Sequence, residues 1–294
     1  MNGRVDERAF AKLNLILHVG RRRTDGLHPL GSILASIDLW DDVRVERADA
    51  WGDRVECAGL DGPNLAEAAL AAFRRRVPEL PPLRVQIEKR IPVAAGLGGG
   101  SADAAAVLRA ANRISGGPLN VAALRGLGAE LGSDVPSQVE PGHALVSGVG
   151  EVVEPIELPT FGAVLVPHNP GLSTAEVYAE FDRLGGGRGA VALDALRALA
   201  REMTLLPVLG NDLQPAALAL RPELTAVLAS LRGHGALGAL ISGSGPTCFG
   251  LFDDRAAAEA VAAKLDGAIA AGLRQPSRVV ACPPARSSLP LSPY

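Results

Sequence analysis

The sixteen residues from Ile91 to Ala106, IPVAAGLGGGSADAAA, put four glycines, a serine and an alanine-rich run into one segment. Glycine lacks a Cβ, so successive backbone N–H groups can turn into one concavity. A helix starting at Ser101 would add the positive end of its dipole. That combination suits phosphate. The segment is not a Walker A loop, because no lysine precedes Ser101, and it is not a dinucleotide fingerprint, which needs glycine where Ser101 stands. No His-Arg-Asp or Asp-Phe-Gly element marks a protein kinase. The plain alternative is a flexible Gly-rich loop capped by Ser101.

Lysine usage adds two candidates. Of 29 basic residues only Lys12, Lys89 and Lys264 are lysines. A compact ammonium is not interchangeable with a planar guanidinium at a tight site, so Lys12 and Lys89 stand out. Cys57, Cys248 and Cys282 are far apart and outside any C-x-x-C spacing, and read as reduced, packed thiols. The five histidines show no ligand spacing, so no protein-built metal site is expected.

These residues need elements to position them. Alternating Leu13, Leu15, Leu17 and Val19 predict a strand over 11–19, and further strands are expected over 33–39, 43–46, 54–57 and 83–88, mostly antiparallel. Helices are expected over 64–76, 101–114 and 121–131, the last stopped by Gly132. After Glu151 the pattern changes to a strand over 163–166, a capping-box helix start at Ser173-Thr174-Ala175-Glu176, and helices over 193–202, 212–219, 222–231 and 255–265. Ala236–Ile241 and Cys248–Phe252 read as a hairpin around the turn Ser242–Thr247, with a last strand near Val279. The fold class is α+β, with two domains, 1–155 and 156–294.

At 294 residues, 48% of them hydrophobic, the chain can bury two cores. A net charge of -3 gives no basis for nucleic-acid binding, and Arg21-Arg22-Arg23 reads as a solvated turn. With no apolar run of membrane length and a polar start, the expectation is a cytoplasmic protein without membrane attachment. Oligomeric state stays open.

Pro92 to Ala105 resembles the P-x-x-x-G-L-G-S/G-S/G motif of the GHMP kinases. Ala11-Lys12-Leu13-Asn14-Leu15, followed by Gly20-Arg21-Arg22-Arg23-Thr24-Asp25-Gly26-Leu27-His28, is similar to the signature of the 4-diphosphocytidyl-2-C-methyl-D-erythritol kinase family. Gly132-Ser133-Asp134-Val135-Pro136, Asn211-Asp212-Leu213 and Ser242-Gly243-Ser244-Gly245-Pro246-Thr247 follow in the family's order, so the likeness runs through nearly the whole chain. It implies a two-domain GHMP kinase fold with the active site in the cleft between domains. The activity implied is ATP-dependent phosphorylation of the substrate's 2-hydroxyl in the non-mevalonate isoprenoid pathway, with Mg²⁺ arriving on the nucleotide.

By the resemblance, Asp134 is the base and Lys12 polarises the hydroxyl. Read alone, Gly132-Ser133-Asp134 is a helix stop and a turn. Asn14 would bond substrate or Asp134, or be an edge-strand polar residue. The nucleotide would contact Asn64, Lys89, Pro92, Gly96, Leu97, Gly98, Gly99, Gly100, Ser101 and Ala102, with Ser101 near the magnesium and Asn64 and Lys89 on the adenosine side. Ser242, Gly243, Ser244 and Gly245 would close over the cytidine diphosphate group. His28 would read the cytosine edge, with the base packed between Leu27, where the family has tyrosine, and Tyr178. Tyr178 read alone is a helix core residue. Another GHMP kinase, a catalytically silent paralogue and an RNA-binding module are the competing readings. The Lys12, Asn14 and His28 set disfavours the first, the presence of Asp134 and Lys12 the second, and the acidic balance with few aromatics the third.

Overall fold

The computed structural model describes residues 3–48, 52–58, 64–202, 208–269 and 278–281. Cys282 lies outside them. A seven-stranded sheet is built on two long partners, β1 (Arg4–Val19) and β2 (Leu30–Arg47), paired antiparallel. The sequence suggests two short strands, 33–39 and 43–46, where β2 runs unbroken through Asp41 and Asp42. Asp41 is fully buried, its charge taken up by Lys89 and two backbone N–H groups, so the strand continues through it.

The length of β2 lets it carry two partners on one edge, β4 (Leu83–Glu88) along its C-terminal half and β5 (Ala144–Gly148) along its N-terminal half. β6 (Val152–Pro155) pairs with β5 in a hairpin that sequence reasoning missed. β3 (Arg54–Cys57) pairs parallel with β4, an exception in a mostly antiparallel sheet, and α1 (Leu65–Arg76) lies between the two in sequence. Asn64 is the N-cap of α1, accepting from the Glu67 N–H at 3.0 Å. α2 (Gly99–Ile114) packs on this sheet with α1, α3 (Val121–Leu131) and the short α4 (Val135–Gln138) around a core holding Phe73, Val85 and Leu108. The two-residue β8 (Gly210–Asn211), from the other end of the chain, pairs parallel with β1.

The second sheet is four-stranded and antiparallel, in the order β11 (Arg278–Ala281), β7 (Gly162–Val166), β10 (Cys248–Phe252), β9 (Gly238–Ile241). With it go α5 (Thr174–Arg183), α7 (Gln214–Leu220), α8 (Leu224–Gly233) and α9 (Arg255–Ile269), whereas α6 (Leu193–Glu202) packs back on β2 and β5 of the first sheet. One apolar cluster joins Ala11, Leu13 and Leu15 of β1 to Leu165 of β7 and Phe249 of β10. Ala11, Leu13 and Leu15 therefore face the second half, whereas Ala9, before the first register shift, belongs to the first core. Lys12 and Asn14, on the even side, face a cavity.

Candidate active site

The cavity measures about 450 Å³ and is lined from both halves of the chain: by β1, the Gly loop and Asp134 on one side, by Thr174, Tyr178 and Gly243–Gly245 on the other. Register shifts in the β1–β2 pair fall between Phe10 and Lys12 and between Asn14 and Ile16, so irregular pairing brackets the Lys12–Asn14 segment. Bulges of this kind re-aim side chains beside functional sites.

Lys12 is 5% exposed in its side chain, and its Nζ lies 3.4 Å from Asp134 Oδ2. Asn14 corrects the expectation of an edge-strand residue or an Asp134 partner. It sits 4% exposed within the sheet, its Oδ1 accepts from Lys12 Nζ at 2.6 Å, and its Nδ2 donates to Ser32 Oγ at 2.9 Å. Ser32 Oγ in turn donates to the Ile16 carbonyl at 2.7 Å. This chain of bonds uses both ends of the amide and fixes the ammonium in place.

Asp134 precedes α4 and is 40% exposed in its side chain. Its loop is pressed by the β5–β6 turn: Gly150 has φ 120°, and a Cβ there would lie 2.3 Å from the Ser133 carbonyl oxygen. Only glycine permits that approach.

The Gly loop begins at Pro92 and passes through Ala94 (φ 52°), Gly96 (φ 75°) and Gly98 (φ 72°). α2 starts at Gly99 with Gly98 as its left-handed N-cap, two residues before the expected start at Ser101. Pro92, Gly96, Leu97, Gly98, Gly99, Gly100 and Ser101 all line the cavity, as do Asn64 and Lys89. Ala102 does not. It is 1% exposed and its N–H bonds the Gly98 carbonyl at 2.9 Å, which leaves it nothing to offer a phosphate.

Lys89 is no solvated charge: it donates to Asp41 Oδ2 at 2.5 Å and to Asp103 Oδ2 at 2.6 Å. Burial works against its charged form, but Asp103 and Asp41 outweigh burial and raise it above the usual lysine value. Burial pushes the Asp103 carboxyl up to about 7; Lys89 opposes this and the charge of Asp41 adds to it. Sequence reasoning missed both acids. The signal was there: Asp103 is the single charged residue in the run from Gly99 to Leu108.

On the acceptor side, Tyr178 lines the cavity, and its hydroxyl is pushed up to about 12, first by burial and then by the negative charge of Asp134. His28 does not line it. The ring is 6% exposed, with Nδ1 2.9 Å from the Gly20 carbonyl and Nε2 3.4 Å from Asp182. It lies behind Tyr178, with centroids 5.1 Å apart. Nδ1 is taken by the Gly20 carbonyl, and the ring stands outside the cavity wall rather than in it, where a base-edge contact was expected.

Leu27 is 51% exposed and outside the cavity wall. The turn at Gly26 (φ 85°), with the Leu27 N–H on Asp25 Oδ1 at 3.0 Å, turns it to solvent. Ser242 is likewise out of reach, fully buried with its Oγ donating to the Gly96 carbonyl at 2.9 Å. Gly243, Ser244 and Gly245 do line the cavity, and Ser244 Oγ lies 3.0 Å from Thr174 Oγ1, a cavity residue that was not anticipated.

The family model "GHMP kinases N terminal domain" matches residues 64–142, and "GHMP kinases C terminal" matches residues 190–270. A homoserine kinase from Cytophaga hutchinsonii shares the fold, with a TM-score of 0.73 at 18% identity over 97% of this chain and 96% of that one. Fold and site thus define a GHMP kinase architecture.

A crystal structure of 4-(cytidine 5'-diphospho)-2C-methyl-D-erythritol kinase is closer, with a TM-score of 0.78 at 32% identity, covering 94% of this chain and 98% of that one. The 4-diphosphocytidyl-2-C-methyl-D-erythritol kinase of Desulfitobacterium hafniense is 40% identical over 90% of this chain and 92% of its own length. That of Streptomyces avermitilis is 41% identical over 95% and 97%. The chain belongs to the 4-diphosphocytidyl-2-C-methyl-D-erythritol kinase family of the GHMP kinases.

Proposed function

We propose that this chain transfers the γ-phosphoryl group of ATP to the 2-hydroxyl of 4-diphosphocytidyl-2-C-methyl-D-erythritol, releasing ADP and the 2-phosphate, as a step of the non-mevalonate isoprenoid pathway. The observation that carries the chemistry is the Lys12–Asp134 pair, 3.4 Å apart and facing the Gly loop across one cavity. Asp134 accepts the hydroxyl proton while the acceptor oxygen bonds the γ-phosphorus and the bridge to the β-phosphate breaks. Lys12, steadied by Asn14, neutralises charge on the equatorial oxygens of the moving group. N–H groups of the Gly loop hold the remaining phosphates, as positive-φ glycines at 96 and 98 allow.

Mg²⁺ fits the oxygen donors here only in part. Among the protein groups along the Gly loop the Ser101 hydroxyl suits it, and one hydroxyl is too few for a protein-built site, so the ion enters with the nucleotide phosphates. It would supply charge neutralisation there. Tyr178 offers one face to the cytosine, with His28 and Phe181 packed behind it.

We place a division near residue 155, where β6 ends, between an N-terminal ATP-binding domain (1–155) and a C-terminal α+β domain (156–294). Among the described residues no helix is long and apolar enough to cross a membrane, and we place the protein in the cytoplasm.

The test is ADP release measured across candidate acceptors: the diphosphocytidyl alcohol, homoserine and mevalonate. Turnover confined to the first is the expected result. Turnover with either of the others instead would overturn the acceptor assignment.

A further inference from the structure

We infer that Asp41, which does not line the cavity, is a positioning residue that holds the nucleotide loop shut at its two ends. This rests on the reading of that loop as the ATP site. Asp41 is fully buried on β2. Its Oδ1 accepts from the N–H groups of Arg90 at 2.5 Å and Ile91 at 2.8 Å, where the chain leaves β4 and enters the loop. Its Oδ2 accepts from Lys89 Nζ at 2.5 Å, and Lys89 passes a second bond to Asp103 Oδ2 at 2.6 Å, on α2 just past the loop's exit. Entry and exit are thereby tied to one carboxylate on a neighbouring strand.

Further restraints act on the middle of the loop, among them the Thr247 N–H donating to the Ala95 carbonyl at 3.3 Å. The Lys12 N–H donates to the Leu97 carbonyl at 3.0 Å, and Ser242 Oγ donates to the Gly96 carbonyl at 2.9 Å. Between the tied ends the backbone is left-handed at Ala94, Gly96 and Gly98. Conformations of that kind persist only where the surroundings over-determine them.

The chemistry demands a carboxylate. Three donors, one of them an ammonium, converge on a fully buried group, and the two oxygens of a carboxylate can accept them all. An amide would keep one acceptor and turn its NH₂ toward Lys89. The packing is equally tight: a Cβ on Gly99 would lie 3.3 Å from Lys89 Nζ and 3.0 Å from Ile91 Cγ2. Lys89 and Ile91 thus leave no space for a side chain at the first turn of α2, where phosphate would sit.

The experiment is Asp41→Asn in the full chain, with Mg-ADP affinity measured by calorimetry without acceptor, alongside steady-state constants and the melting temperature. The expected result is an ADP affinity and an ATP KM weakened by about tenfold, an acceptor KM within about threefold, and faster amide exchange at Arg90 and Ile91. A lowered melting temperature with unchanged ADP affinity would make Asp41 structural only and overturn the inference. If Asp41→Asn does not fold, Asp41→Asn with Lys89→Met and Asp103→Asn removes all three buried charges together, and ADP affinity equal to wild type in that variant overturns it too. Wild-type protein that fails to bind Mg-ADP overturns the ATP-site reading itself, and is distinguished by needing no variant.

Discussion

Lys12 is held by contacts of three kinds: an amide at 2.6 Å, a carboxylate at 3.4 Å, and a stem running within about 3 Å of where Gly98 would carry a Cβ. A planar fork cannot set one compact charge against both the amide and the carboxylate. Lys12→Arg keeps the charge but misplaces it, and kcat should fall by about 10²–10³ with ADP affinity little changed. Asp134→Asn keeps the size and loses the proton acceptor, and kcat should fall by about 10²–10⁴. Single-turnover rates at saturating ATP measure both; a loss under tenfold in either would remove that residue from its role.

At the same scale, Tyr178→Ala should raise the acceptor KM about tenfold or more through lost stacking while ATP KM stays put. Equal rises in both constants would instead place Tyr178 in the packing of α5, where Val177 and Phe181 are buried.

At the scale of elements, the glycines of the loop divide by what surrounds them. A Cβ on Gly96 would lie 2.2 Å from the Ser242 carbonyl oxygen, so Gly96→Ala must part the Gly loop from the Ser242–Thr247 turn. Both substrate constants should worsen and stability should drop. Gly100 differs. It lies inside α2, and a Cβ there meets nothing nearer than Leu65 Cδ1 at 3.8 Å. Gly100→Ala should gain about 0.5–1 kcal/mol of stability from helix propensity while raising the ATP KM, because the new methyl faces the phosphates. Thermal melts paired with ATP titrations check this, and an unchanged ATP KM would move the phosphates away from Gly100.

On the whole-molecule scale, the cavity exists because β8 and the Ser242–Thr247 turn are sewn to the N-terminal sheet. Asn211 Nδ2 donates to the carbonyls of Ile241 at 2.8 Å and Gly243 at 2.7 Å, and β8 pairs with β1 at Ile16 and Leu17. Stability of the assembled chain should also carry a histidine signature. Burial first, then Arg221, holds the His168 imidazole below its usual value, and burial does the same for His18. Below the usual imidazole value the unfolded chain takes up a proton that the folded chain refuses, so this stabilisation is present at neutral pH and lost as the pH falls. His168→Gln should lose less melting temperature between pH 7.5 and 5.5 than wild type. An identical loss would show that His168 titrates normally in the folded protein.

Much of the site was legible in the chain itself because its signals are local. Glycine spacing marks a loop that needs positive φ, and the rarity of lysine singles out Lys12 and Lys89. The helix stop at Gly132 places Asp134 at a turn. Other features depend on which surfaces meet. Sequence spacing could not show that His28 packs behind Tyr178, which lies 150 residues further along the chain. Nor could it show that Ser242 serves the Gly loop, or that Asn14 holds Lys12.

Asp41 is the sharpest case. In the sequence it falls between two expected strands, and only the convergence of Lys89, Arg90 and Ile91 makes its burial tolerable and β2 continuous. Local conformational preference is written in neighbouring residues and can be read from them. Whether a buried charge is satisfied depends on partners brought together by packing, and that only the tertiary structure decides.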